Sequence, residues 1–142
     1  MRSIRILTLI GTIVALAALA PLASASSGPI VITYEKECNQ LTGHCVGSAG
    51  DGGTLVMQVT GFRATGKAAQ LTATVDITVG DISFTAEMNG HASPAGFIVL
   101  NGTVTEGDFA GAQVHQRSNL VGAAGSMTSW IGELRLVPSP AG

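Results

Sequence analysis

Three features of this 142-residue chain predict an all-β fold. Hydrophobic residues recur with a period of two instead of 3.6, and glycine clusters interrupt them about every ten residues. Beyond the N-terminal region no segment keeps helical spacing for more than two turns. The clearest strand is Gln70 to Val79, where Leu71, Ala73, Val75, Ile77 and Val79 alternate with Thr72, Thr74, Asp76 and Thr78. Alternate side chains of a strand point to opposite faces, so this run has one apolar and one polar side. Ile82, Phe84, Ala86 and Met88 repeat the pattern against Ser83, Thr85 and Glu87. Gly80-Asp81 between the two runs suits a two-residue primed turn, and residues 70–89 read as a β-hairpin.

The remaining strands are less regular. Ile30 to Lys36 is β-branched and opens the domain, and Leu55, Met57 and Val59 alternate within residues 54–60. Phe97 to Leu100 is followed by Asn101-Gly102, which reads as a bend or bulge before Thr103-Val104-Thr105. Phe109 to Ser118 forms a strand of mixed character. In Met127 to Val137, Trp130, Leu134 and Leu136 share one phase and Gly132 marks a bend. Strands in sequence, linked by short turns, make a meander. The expected architecture is a single antiparallel β-barrel of seven or eight strands, with a β-sandwich as the alternative. Closure removes exposed strand edges, whereas a sandwich needs longer crossovers. The only long connection is Cys38 to Gly53.

The N-terminus has the three parts of a secretory signal peptide. Arg2 and Arg5 supply the positive charge, Ile6 to Ala20 is an uncharged apolar run, and Ala23-Ser24-Ala25 is a small-x-small cleavage site. The apolar run is shorter than the roughly 20 residues needed to span a bilayer. Residues 1–25 are therefore expected to be removed, leaving one domain, 26–142, that is secreted or periplasmic. No cysteine follows the cleavage site to carry a lipid, and the mature form is expected to have no membrane attachment. In that oxidising setting Cys38 and Cys45, seven positions apart, are expected to form a disulfide.

Charge excludes some partners. Without Arg2 and Arg5, five cations (Lys36, Arg63, Lys67, Arg117, Arg135) stand against nine carboxylates, a net charge of −4. The cations are scattered, so neither a nucleic acid nor an anionic membrane is an expected partner. Charged residues make up 11% of the chain and hydrophobic ones 46%, which favours a folded domain over a disordered one.

The stretch from Gly102 to Ala112, Gly-Thr-Val-Thr-Glu-Gly-Asp-Phe-Ala-Gly-Ala, followed by an apolar strand and Trp130-Ile131-Gly132-Glu133-Leu134, carries a resemblance. It resembles the G-x-F-x-G-A strand pair of small secreted barrels of the allene oxide cyclase-like and dirigent-like families, over about 40 residues of the mature chain. The resemblance implies a closed antiparallel barrel with a central cavity that associates as a homo-oligomer. None of those families' guiding polar residues has a matching position here.

Candidate chemistry is sparse. His44, His91 and His115 are too far apart in sequence for a local metal pair, and no metal or cofactor is expected. His44, in the disulfide loop, and His91, after Asn89-Gly90, read as exposed turn residues. Glu106 and Asp108 flank Gly107 and read as solvated; Asp51 lies in a glycine turn without calcium-ligand spacing. In an extended strand Gln113, His115 and Arg117 share a face, opposite Ala112, Val114 and Gln116. An amide, an imidazole and a guanidinium together could orient an acidic ligand at a barrel mouth, so these three are the candidate ligand-binding residues. The expected function is a non-enzymatic binding or structural module for a small apolar or acidic ligand or a protein partner. The alternative is a small cyclase- or isomerase-type enzyme using the cavity, with His115 as acid–base and Arg117 as anion anchor. Intact-mass analysis of the exported protein is expected to give a chain starting at Ser26 without lipid; a mass retaining residues 1–25 contradicts the export reading.

Overall fold

The alternation of period two runs through eight strands that close on themselves. A computed structural model describes residues 28–139; the expected signal segment, 1–25, lies outside them. The strands are β1 (Ile30–Asn39), β2 (His44–Ala49), β3 (Gly53–Thr65), β4 (Ala68–Val79), β5 (Ile82–Ser93), β6 (Phe97–Gly107), β7 (Gln113–Ala124) and β8 (Met127–Val137). Each is antiparallel to its sequence neighbour, and β8 pairs with β1 to complete an up-and-down barrel. The barrel expectation is met and the sandwich is set aside.

Most inward positions are apolar and most outward positions polar, with Val31, Val46, Val56 and Ile131 outside and Lys36, Gln116 and Ser118 inside as exceptions. In β4, Leu71, Ala73, Val75 and Ile77 are buried while Gln70, Thr72, Asp76 and Thr78 are exposed. This is the inverse of a membrane-spanning barrel, whose apolar face is outside. Among the described residues no helix is long and apolar enough to cross a membrane. The hairpin read at 70–89 is present, with Gly80 at positive φ in its turn.

Several boundaries differ from the sequence reading. β2 lies inside the segment read as one long connection; its six residues include Gly47 and Ser48, which mask the alternation. Phe109 does not belong to β7, because residues 108–112 turn back. Phe109 takes φ 63°, and the Ala112 N–H donates to its carbonyl. Asn89-Gly90 is not a turn but the middle of β5, paired with Asn101 and Leu100 of β6. Asn101-Gly102 is likewise continuous strand; the β6 bulge falls at Thr105, unpaired between Val104 and Glu106. Two further bulges leave out Thr60 in β3 and Val121 in β7.

The barrel has two unlike poles. At the pole where β1 starts and β8 ends, Ala49, Leu55, Ile77, Phe84, Val104, Ala112, Leu134 and Leu136 are all 3% exposed or less. At the other pole Cys38, Leu71, Ile98 and Trp130 are the least covered of the buried set. The Cys38–Cys45 disulfide forms there, between directly paired inward-facing residues of β1 and β2. Closing so short a loop restricts the unfolded chain by roughly 2–3 kcal/mol.

Charge placement separates the two faces experimentally. Val75 and Ile77 are 0% and 1% exposed, whereas Asp76 is exposed and accepts the Thr85 hydroxyl. An unpaired buried charge costs several kcal/mol against a total stability of about 5–15 kcal/mol. Val75→Asp and Ile77→Asp are expected to unfold the domain by circular dichroism, and Asp76→Lys to lower the thermal midpoint by only a few degrees. Equal losses at all three positions contradict the assignment of faces.

Candidate functional site

The less covered pole opens into a cavity of about 630 Å³. Its rim is the β1–β2 turn (Gln40, Leu41, Thr42, Gly43) and the start of the β3–β4 hairpin; Val59, Leu71, Ala92, Ile98 and Trp130 line its walls with the disulfide. Met57, paired with Cys45, and Lys36, two residues before Cys38 on β1, also border it. The bulge at Thr60 determines one wall residue. Strict alternation after Leu55, Met57 and Val59 would turn Phe62 outward. The extra residue instead pairs Phe62 with inward-facing Leu71, so its ring lines the opening. Phe62 is still 69% exposed and Leu41, on the turn, is 84% exposed, so the entrance is apolar and wet.

A polar group interrupts the apolar interior below this opening. β1 turns Ile32, Tyr34, Lys36 and Cys38 inward. Lys36 is 2% exposed; its Nζ lies 3.1 Å from Met57 Sδ and 5.4 Å from the Tyr34 ring centre. β7 turns Gln116 and Ser118 inward, both at most 1% exposed. Gln116 Nε2 donates to the Tyr34 hydroxyl (2.8 Å), which donates to the Arg117 carbonyl (3.3 Å). Gln116 Oε1 and Ser118 Oγ are buried without a hydrogen-bond partner among the described residues. Space for this group comes from small neighbours on the adjoining strands. Tyr34 is paired with Ala49 and Gly132, and Lys36 with Gly47 and Trp130. A Cβ at Gly132 would overlap the Arg117 carbonyl and press on the Tyr34 hydroxyl.

The electrostatics are one-sided. All nine Asp and Glu side chains are exposed, so none shares the interior with Lys36. Burial alone lowers the Lys36 ammonium from 10.5 to about 8. The Tyr34 phenol is pushed up from 10.0 by burial, against the opposing influence of Ser118 and Gln116. The group therefore holds one costly cation, a neutral phenol and two unfilled hydrogen-bonding positions.

The residues singled out from sequence lie elsewhere. Gln113, His115 and Arg117 do share a face, but it is the outer wall, and all three are exposed. Period two makes this unavoidable once Val114, Gln116 and Ser118 point inward. His115 Nδ1 hydrogen-bonds the Asn101 side chain on the neighbouring strand, and neither His115 nor Gln113 lines the cavity at the mouth. Arg117 alone borders a concavity, a shallow outer depression shared with Glu35, Asn119, Ile131 and Glu133. His44 is exposed and bonded to Gln58 (3.2 Å). His91 is exposed on β5, not in a turn. The Asp108 carboxylate accepts the Ser83 N–H (2.9 Å) and fixes the β6–β7 turn. Among the described residues no group of three His, Cys, Asp or Glu side chains could hold a metal ion.

The chain matches no protein-family model, no curated protein and no solved structure.

The buried amine has a measurable signature. Between about pH 8 and 10.5 the unfolded chain holds a proton at Lys36 that the folded chain has lost, so stability rises with pH across that window. The cost of the ammonium, roughly 3 kcal/mol, is fully present below pH 8 and gone above 10.5. Above pH 10 the phenol acts in the opposite sense, because the unfolded tyrosine ionises first. Lys36→Met is expected to be more stable than wild type at pH 7, with the gap closing towards pH 10, in chemical denaturation followed at both pH values. A variant less stable at pH 7 contradicts an uncompensated buried charge.

Proposed function

We propose that this barrel is a non-enzymatic binding protein, acting outside the cytoplasm, for one small amphiphile with an acidic end. The apolar body enters past Leu41 and Phe62 and lies against Val59, Leu71, Ile98 and Trp130. The acidic end meets Lys36. The observation that carries this reading is the interior ammonium without a carboxylate at the base of an apolar cavity open to solvent. A buried cation without a partner is costly, and an anionic ligand removes the cost by pairing with it. Ser118 Oγ offers a further hydroxyl in the same polar group. Eight strands enclose enough room for side chains or one small ligand, and about 630 Å³ falls within the usual range for such sites. The disulfide at the rim fits an oxidising compartment, where it holds the β1–β2 turn in place.

A charge-assisted hydrogen bond contributes about 1.5–3 kcal/mol, or roughly ten- to a hundredfold in affinity. In a fluorescence displacement assay a medium-chain fatty acid is expected to bind one per chain, and the alcohol of equal length more weakly by that factor. Lys36→Met is expected to bring the acid down to the alcohol's affinity and leave the alcohol unchanged. Failure of both to bind wild type overturns the cavity reading; undiminished acid binding by the variant overturns the role of Lys36.

A further inference from the structure

We propose that the cavity also captures aldehydes covalently, through an imine between Lys36 Nζ and the carbonyl carbon of an apolar aldehyde. The inference rests on the cavity reading above and adds a reaction to it.

Three observations support it. First, Lys36 Nζ is enclosed by a thioether and an aromatic ring, with no carboxylate on the inner wall to hold it as an ammonium. Primary amines so placed are the ones that act as nucleophiles towards carbonyls. Second, the amine borders a cavity with an open apolar entrance, so an aldehyde with a hydrocarbon body can bring its carbonyl to it while the chain stays against Val59, Leu71 and Trp130. Third, the buried Gln116 Oε1, which has no hydrogen-bond partner among the described residues, belongs to the same polar group as the amine, with Gln116 Nε2 and Lys36 Nζ both approaching Met57 Sδ. The first adduct formed by an amine and an aldehyde carries an N–H and an O–H, which need such partners in a buried place.

The step balances without an outside oxidant or reductant. The neutral amine's lone pair forms the N–C bond as the carbonyl π bond opens onto oxygen. Proton transfer from nitrogen to oxygen gives the carbinolamine. Loss of the C–O bond with the second N–H proton releases one water and leaves the C=N bond. Burial favours the reactive form: with the ammonium lowered to about 8, about one Lys36 in ten is neutral at pH 7. The product is uncharged in its unprotonated form, so the interior is relieved of its cation as it is on pairing with an acid.

The chain supplies its own comparator, because Lys67, the other lysine of the mature domain, is exposed on the β3–β4 turn. The folded exported protein is incubated at pH 7 with decanal and cyanoborohydride, which fixes an imine as a secondary amine, and is then analysed by intact mass and peptide mapping. One adduct per chain is expected, heavier by the aldehyde less its oxygen. It should sit on Lys36 in preference to exposed Lys67, and its dependence on the cavity separates it from any adduct at the terminal amine. Excess decanol is expected to suppress the Lys36 adduct without affecting labelling at Lys67, and Lys36→Met to abolish it. Labelling confined to Lys67 and the terminal amine overturns the proposal. If decanol still displaces a fluorescent probe from the same sample, the cavity reading survives that failure; if it does not, both fall together.

Discussion

The barrel depends on how closely its strands approach one another at inward-facing glycines, above all in mid-strand. At Gly47, Gly90, Gly102 and Gly132 the backbone of the neighbouring strand occupies the place a side chain would take. A methyl at Gly90 would overlap the Val99 carbonyl, and one at Gly102 the Glu87 carbonyl. These are the points where a sheet of eight strands coils tightly enough to meet itself. The three bulges add local twist to β3, β6 and β7. Everything inside is then allocated by what the glycines leave free. Phe84, Leu134 and Leu136 fill one pole, and Tyr34 and Lys36 take the room beside Gly132 and Gly47.

That allocation explains why a lysine can stand where an aliphatic residue would be more stable. The interior is apolar on every strand except β1 and β7, and the polar residues of these two meet beneath the mouth. Gln116 Nε2 donates to the Tyr34 hydroxyl, while Gln116 Oε1 has no partner among the described residues and Lys36 Nζ meets Met57 Sδ and the Tyr34 ring. A fold free to optimise stability alone would exchange such a group for leucine or methionine. Its place beside an open cavity is what the proposed ligand binding would draw on.

Much of the fold was legible in the sequence, because β4 and β5 alternate almost without interruption from Leu71 to Met88. β2 was not, since Gly47 and Ser48 leave too few apolar side chains to show a phase. Asn89-Gly90 carries a local turn signal that the tertiary structure overrides: glycine is needed there for the approach of β6, not for a reversal of the chain. The site was legible in part. Lys36 shares the phase of Ile32, Tyr34 and Cys38, and that regularity was available to a reader who asked which face the lysine occupied. Gln113, His115 and Arg117 carry the denser cluster of polar groups, but on the exposed face of β7. The buried polar residues of β7 are one position out of phase with them, at Gln116 and Ser118. The bulge that turns Phe62 towards the mouth has no signature in the residues themselves.

The two poles also settle how the molecule can be attached to something else. β1 enters and β8 leaves at the packed pole, and the turns around the cavity belong to the other. A tether joined to either end of the barrel would hang from the sealed base, and the opening would face away from whatever holds it. Four of the hairpin tips lie at the pole of the entrance, and the β1–β2 turn borders it. Changes of length or sequence in these tips would fall far from the packed base.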